Sequence, residues 1–172
     1  SYPLVLKGLG LLHKSDSGGV VLGLRDEAAL LEAYDDVVAR LAPPACSIEE
    51  MADLSEGVEL IVGVRRDPRF GPVAMVGLGG IYTEVIHDVA TALAPVSAHH
   101  VERMLRSLRG SALLTGARGR RPVDLAEASR IVALVTEVAA AHPELADVEV
   151  NPLLVTPDGA QALDARTLPV PR

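Results

Sequence analysis

The stretch DVEVNPLLVTPDGAQALDA, residues 147–165, carries the pattern that decides the fold. Polar and apolar residues alternate from Val148 to Asn151, so Glu149 and Asn151 share one face of a strand. Pro157-Asp158-Gly159 supplies a tight turn, and Ala160–Ala165 reads as the returning strand. Asp164 then lies across that turn, within reach of the same face. Carboxylates and an amide oxygen are hard donors of the kind that suits Mg²⁺, which also keeps waters and phosphate oxygens. An exposed sheet face with three polar residues fits the spacing equally well.

Working outward, YPLVLKGLGLLHKSDSGGVVLGL (residues 2–24) reads as a hairpin. A buried strand, Leu4–Leu6, delivers Lys7 at its end. A loop rich in Gly, Ser and Asp follows, and Val20–Leu24 returns. A lysine so placed is a point charge suited to phosphate oxygens, and the loop leaves backbone N–H groups free to approach an anion. An exposed loop with snorkelling lysines is the equal alternative. In EGVELIVGVRRDPRFGPVAMVGLGGIYTE (residues 56–84), Glu59 sits inside an otherwise apolar strand, Val58–Val64. From spacing alone it reads as the outward residue of a half-buried strand. A turn over Arg65–Gly71, a strand over Val73–Leu78, a break at Gly79-Gly80 and a strand over Ile81–Ile86 complete that stretch.

Between these blocks, Asp26 caps a helix with Leu30, Tyr34, Val37 and Leu41 at helical spacing. Cys46–Met51 reads as a short strand and Ala52–Gly57 as a turn or hinge. Ser97 caps a second helix. Arg109–Pro122 is a basic, Gly-rich loop, whose Arg118–Arg121 stretch reads first as solvated and second as a surface facing a partner or a nucleotide. Asp124 caps a long third helix with Ala128, Ile131, Val132, Val135 and Val138 facing the core. The mixture of hairpins and helices argues for an α+β fold with mainly antiparallel sheet.

Composition excludes several functions. The 172 residues suit about one domain, at most one with two lobes. With 49% hydrophobic residues but only 2% aromatic, the core must be aliphatic. A net charge of −7 argues against a nucleic-acid binder. The single cysteine, Cys46, makes neither an internal disulfide nor a zinc site. His99 and His100 are adjacent and diverge on a helix, so they read as surface residues. Neither Gly77-x-Gly79 nor Gly8-x-Gly10 completes a dinucleotide fingerprint, because Tyr82 and His13 stand where the third glycine belongs. No stretch reads as a membrane span or a signal peptide. The opening Ser-Tyr-Pro reads as a cut inside a longer, cytoplasmic protein.

Together the three quoted stretches resemble the ATP-grasp domain of the NDP-forming (ADP-forming) acyl-CoA synthetases, also called acid–CoA ligases. They occur in the family's order over nearly the whole chain. The succinyl-CoA synthetase beta subunit is similar more distantly. The resemblance implies a partial ATP-grasp fold over residues 1–172, α+β, with mixed and mainly antiparallel sheets and packed helices. It implies a first lobe near 1–48, a second near 49–172, and an upstream segment that is absent. Lys7 matches the lysine that contacts nucleotide phosphates. Glu50 and Met51 match the adenine hinge loosely, and Glu59 matches the next nucleotide-contacting glutamate. Asn151 and Asp164 match the Mg²⁺ ligands. Glu149 matches the residue that receives a phosphohistidine, and His13 matches a candidate second phosphate carrier. The implied cofactors are ATP or ADP and Mg²⁺.

The reaction implied is acyl-CoA + ADP + Pi ⇌ acid + CoA + ATP. It needs a partner, a CoA-binding or CoA-ligase domain or subunit of the same enzyme, and the full protein is expected to be an oligomer. Neither nucleic acid nor membrane is an expected partner. Gly8-Leu9-Gly10-Leu11-Leu12 departs from the Ser-Pro-Asp-Ile type of stretch in many members, which points to a subfamily. The alternative is a non-catalytic nucleotide-sensing module in a larger protein, such as a protein acetyltransferase fusion. Intact Lys7, His13, Glu149, Asn151 and Asp164 favour the enzyme.

Overall fold

A computed structural model of the chain describes residues 1–10, 17–80 and 87–171. The chain divides into two units, Ser1–Ala52 and Asp53–Arg172.

In the first unit, β1 (Leu4–Leu9) is the middle strand between β2 (Val20–Leu24) and β3 (Ala45–Glu50), antiparallel to both. Helix α1 (Glu27–Leu41) connects β2 to β3. Asp26 starts it by accepting the Ala29 N–H at 2.9 Å, satisfying one of the donors a helix start leaves open. Leu6, Leu24 and Val37 form the buried centre, with Leu4, Val21, Leu30 and Leu41 around it. The period of two therefore turns Lys7 to the face opposite Leu6.

The second unit is built on a sheet of order β6-β5-β4-β7-β8, with β9 also paired to β7. The strands are β4 (Val58–Asp67), β5 (Gly71–Leu78), β6 (Val89–Leu93), β7 (Leu145–Thr156), β8 (Gly159–Ala162) and β9 (Ala165–Pro169). Helices α2 (Ala98–Ser107) and α3 (Leu125–Ala141) contribute to the same core. Leu60, Val62 and Val64 of β4, Val76 of β5, and Val150 and Leu153 of β7 meet Val101 and Leu105 of α2 and Val132 of α3. One face of the sheet is thus aliphatic and covered. The other face receives Glu59 and Glu149, which alternate with core residues. Among the described residues no helix is long and apolar enough to cross a membrane.

Several sequence expectations change in detail. The turn expected over Arg65–Gly71 is shorter, because β4 runs on to Asp67 and β5 starts at Gly71. Asp67 closes it by accepting the N–H groups of Arg69 (2.7 Å) and Phe70 (2.9 Å). The single strand expected over Ala160–Ala165 is two: β8 ends at Ala162, and β9 begins at Ala165. Strand β6 has no counterpart in the sequence reading. Its VATAL pattern is short, largely of small residues, and forms the sheet's edge. Strand β9 is exposed throughout, so no buried alternation marks it. The basic loop contains two short 3₁₀ turns, Ser111–Leu113 and Ala117–Gly119. The strand expected over Ile81–Ile86 lies outside the described residues.

Leu153 is fully buried in the second unit's core. Leu153→Ala is expected to cost about 2–5 kcal/mol through lost burial and the cavity left behind. Leu168→Ala on exposed β9 should stay within about 0.5 kcal/mol. Urea unfolding of both variants checks the contrast.

Candidate functional site

The outer face of the second unit's sheet is shaped by an irregularity in β7. Leu60 of β4 pairs with Leu153, but Val62 pairs with Val150. Asn151 and Pro152 therefore oppose the single residue Ile61. This is a β-bulge, a device that re-aims side chains. Proline has no N–H to give to a ladder. The Asn151 N–H is diverted to the Asp164 carbonyl at 3.0 Å, and the Leu163 N–H to the Pro152 carbonyl at 2.9 Å. These two bonds bring Asp164 beside Asn151 and explain the break between β8 and β9.

Glu149 lies beside them with both carboxylate oxygens engaged. Oε1 accepts from Asn151 Nδ2 at 3.2 Å, and Oε2 accepts from Arg166 Nη2 at 2.6 Å. Arg166 is the direct cross-strand partner of Glu149. Spending its amide NH₂ on Glu149 leaves Asn151 to offer its amide oxygen outward. An amide oxygen and the Asp164 carboxylate are hard-oxygen groups, of the chemical type that fits Mg²⁺. Among the described residues no three His, Cys, Asp or Glu side chains group for a metal.

A second feature of this unit is a groove of about 360 Å³ at the start of β4 and the end of β5. Glu59, Leu78, Gly79, Gly80, Leu113 and Arg120 line it. The Gly79 N–H donates to the Glu59 carbonyl at 2.7 Å. A Cβ at Gly79 would lie 3.0 Å from Glu59 backbone atoms, so this close approach requires glycine. The Glu59 carboxylate reaches over Gly80, where a Cβ would come within 3.3 Å of Oε2. Glu59 is half-buried. Asp53, just upstream, has its carboxyl held below the usual carboxylate range, chiefly by the Ser55 N–H it accepts at 2.9 Å.

Asp88 forms the support behind the groove. It is 7% exposed, and its two oxygens accept the N–H groups of Arg109 (2.9 Å) and Gly110 (2.8 Å). That clamp holds the start of the 3₁₀ turn that ends in Leu113. The sequence reading missed Asp88, since its partners are backbone groups 21 and 22 residues away.

In the first unit, Lys7 Nζ meets Glu49 Oε2 at 2.5 Å, and the Ser47 hydroxyl donates to Glu49 Oε1 at 2.9 Å. Glu49 was not singled out from the sequence. It shares a strand face with Ser47, which pairs directly with Lys7, and that alternation was the available signal. Glu50 is exposed and accepts from the Ser1 hydroxyl at 3.1 Å. The Met51 N–H donates to the Pro3 carbonyl at 3.0 Å. His13 lies outside the described residues.

The ATP-grasp domain family matches residues 1–168, and the chain belongs to that family. It is 36% identical over 176 residues to "Acetate--CoA ligase [ADP-forming] I subunit beta" of Pyrococcus furiosus, covering 97% of this chain and 75% of the relative. Against "Acetate--CoA ligase [ADP-forming] I" of Archaeoglobus fulgidus the identity is 35%, over 96% of this chain but 25% of that one. A solved structure of Ca. Korarchaeum cryptofilum dinucleotide forming acetyl-coenzyme A synthetase 1 superposes with a TM-score of 0.86 at 35% identity, covering 99% of this chain and 78% of that chain. That protein was solved with coenzyme A and Mg-AMPPCP, its phosphohistidine segment pointing towards the nucleotide binding site. The chain thus corresponds to the ATP-grasp part of ADP-forming acyl-CoA ligases.

Asp88→Ala removes the acceptor for two N–H groups. A loss of about 1–3 kcal/mol per unsatisfied group is expected, read from thermal unfolding. Hydrogen exchange at Arg109 and Gly110 should speed up with it.

Proposed function

We propose that this chain is the nucleotide-binding part of an ADP-forming acid–CoA ligase, moving a phosphoryl group between a phosphohistidine and ADP. The observation that carries the reading is the Arg166–Glu149–Asn151 network beside Asp164. It sets one oriented carboxylate beside Asn151 and Asp164, the two residues we take as the cation donors. The relatives support it, because a phosphohistidine segment and a magnesium nucleotide both belong to the Korarchaeum enzyme.

In this proposal Asn151 and Asp164 hold Mg²⁺, and the ion, when bound, neutralises phosphate charge. Lys7 adds a positive charge for phosphate oxygens, its ammonium steadied by Glu49. Glu59 accepts hydroxyl donors of the nucleotide in the groove, and Glu50 and Met51 border the base. Glu149 accepts the ring N–H of the incoming histidine and fixes its orientation. The P–N bond of the phosphohistidine breaks as a terminal oxygen of ADP forms the new P–O bond. The histidine keeps the electron pair on its ring nitrogen. Such a transfer asks the protein mainly for positioning and charge neutralisation. Where His13 acts as a second phosphate carrier, its ring nitrogen first forms a P–N bond as the incoming P–N bond breaks, and that new bond then breaks as the ADP oxygen takes the phosphoryl group.

The histidine donor, the CoA site and the acid site belong to a partner domain or subunit. The relatives allow either form, since the chain spans 75% of a separate beta subunit and 25% of a single-chain ligase. The full assembly is an oligomer in the cytoplasm in this proposal.

Calorimetric titration with Mg-ADP tests the site. Wild type is expected to bind, and Asp164→Ala to bind about tenfold more weakly or worse. A folded wild-type protein that ignores Mg-ADP, alone and with its CoA-ligase partner, would contradict the proposal.

A further inference from the structure

Arg118–Arg121 reads first as a solvated loop from the sequence, yet the segment Leu114–Val123 that carries it is fastened at several points. The Val123 N–H donates to the Leu114 carbonyl at 3.0 Å and closes its base. Arg121 reaches Asp158 in the β7–β8 turn at 3.0 Å and Glu56 at 3.6 Å. Asp158 holds the Arg121 guanidinium charged, its pKa raised above the ordinary arginine value. Gly116 has a positive φ of 94°, and a Cβ there would lie 2.6 Å from the Arg120 carbonyl. The loop path therefore needs glycine at Gly116 and sets where Arg120 emerges.

Arg120 lines the groove, and its Nη2 donates to the Ser55 carbonyl at 2.9 Å. One guanidinium carries five N–H donors in a rigid fork. A single carbonyl cannot use them all, so the rest of the fork remains to serve a ligand. Arg120 is the one cation among the described residues that line the groove. Facing the same space are the Glu59 carboxylate and the apolar side chains of Leu78 and Leu113. Glu59 repels anions and accepts hydroxyls. The guanidinium attracts anions and matches phosphate geometry. A ligand with an apolar body, hydroxyls and a phosphate satisfies all three walls.

Resting on the nucleotide-binding reading above, we infer that Arg120 is the phosphate contact of this groove, paired with Glu59 as the hydroxyl contact. Arg120 thus helps the site discriminate nucleotides from nucleosides. Ser55 holds the fork in place, so the contact is preorganised.

The test compares Mg-ADP and adenosine affinities in the full chain for wild type, Arg120→Ala, Arg120→Lys and Arg118→Ala. Arg120→Ala is expected to weaken Mg-ADP about tenfold or more, the size of a lost charged hydrogen bond, and to leave adenosine within about twofold. Arg120→Lys keeps the charge without the fork and should fall between. Arg118→Ala removes the same charge from the same loop outside the groove, keeps the Arg121–Asp158 bond that fastens the loop, and should leave Mg-ADP within about twofold. Equal loss for both ligands would make Arg120 merely structural, and equal loss in Arg118→Ala would make the effect a general field. Either overturns the inference, as does an unchanged Mg-ADP affinity in Arg120→Ala. If wild type binds no nucleotide, the nucleotide-binding reading itself fails and this inference with it.

Discussion

Strand β4 is paired on both sides, with β5 and with β7, and most of the second unit follows from that constraint. A central strand has no freedom to slide, because a one-residue slip would exchange its buried and exposed faces. Leu60, Val62 and Val64 must face the helices. Glu59 must then face away, at the end where the Gly79 N–H closes on its carbonyl. The same register places Val150 and Leu153 in the core and leaves Glu149 outside. The hydrophobic face is thus what aims the polar chemistry.

The β7 bulge then converts an ordinary polar face into a specific arrangement. One extra residue in the strand breaks the ladder at Asn151, and Asp164 receives the freed N–H. Glu149 is held from two sides, by an amide and by a guanidinium. Such charge-assisted bonds are short and directional. A carboxylate fixed in this way can receive a partner group without reorganising. The groove is preorganised by comparable means: a buried Asp88 clamps one wall and the Arg120–Ser55 bond fixes another.

Much of this was legible in the sequence, and the physical reason is periodicity. Strand β4 and the first part of β7 show an alternation of period two, whereas β1, β2 and β5 show as short apolar runs. The three α-helices among the described residues show their caps, Asp26, Ser97 and Asp124, each accepting a backbone N–H. The positions of Lys7, Glu59, Glu149, Asn151 and Asp164 stood out as polar residues in or beside apolar runs. What stayed hidden has no local pattern. Strand β6 is a short edge strand and β9 is exposed throughout, so neither needs a buried stripe. Arg166, Asp88 and Arg120 find partners 17 to 65 residues away. Spacing along the chain carries no trace of such contacts. The bulge is equally silent, since only the register of a neighbouring strand defines it.

The central claim is that the oriented Glu149 carboxylate serves phosphoryl transfer. The most direct measurement is single-turnover transfer from the phosphorylated CoA-ligase partner to ADP, comparing wild type with Glu149→Gln. The account predicts transfer at saturating Mg-ADP at least about a hundredfold slower in the variant, the scale of misplacing a reacting group. Equal rates in the two proteins would contradict it.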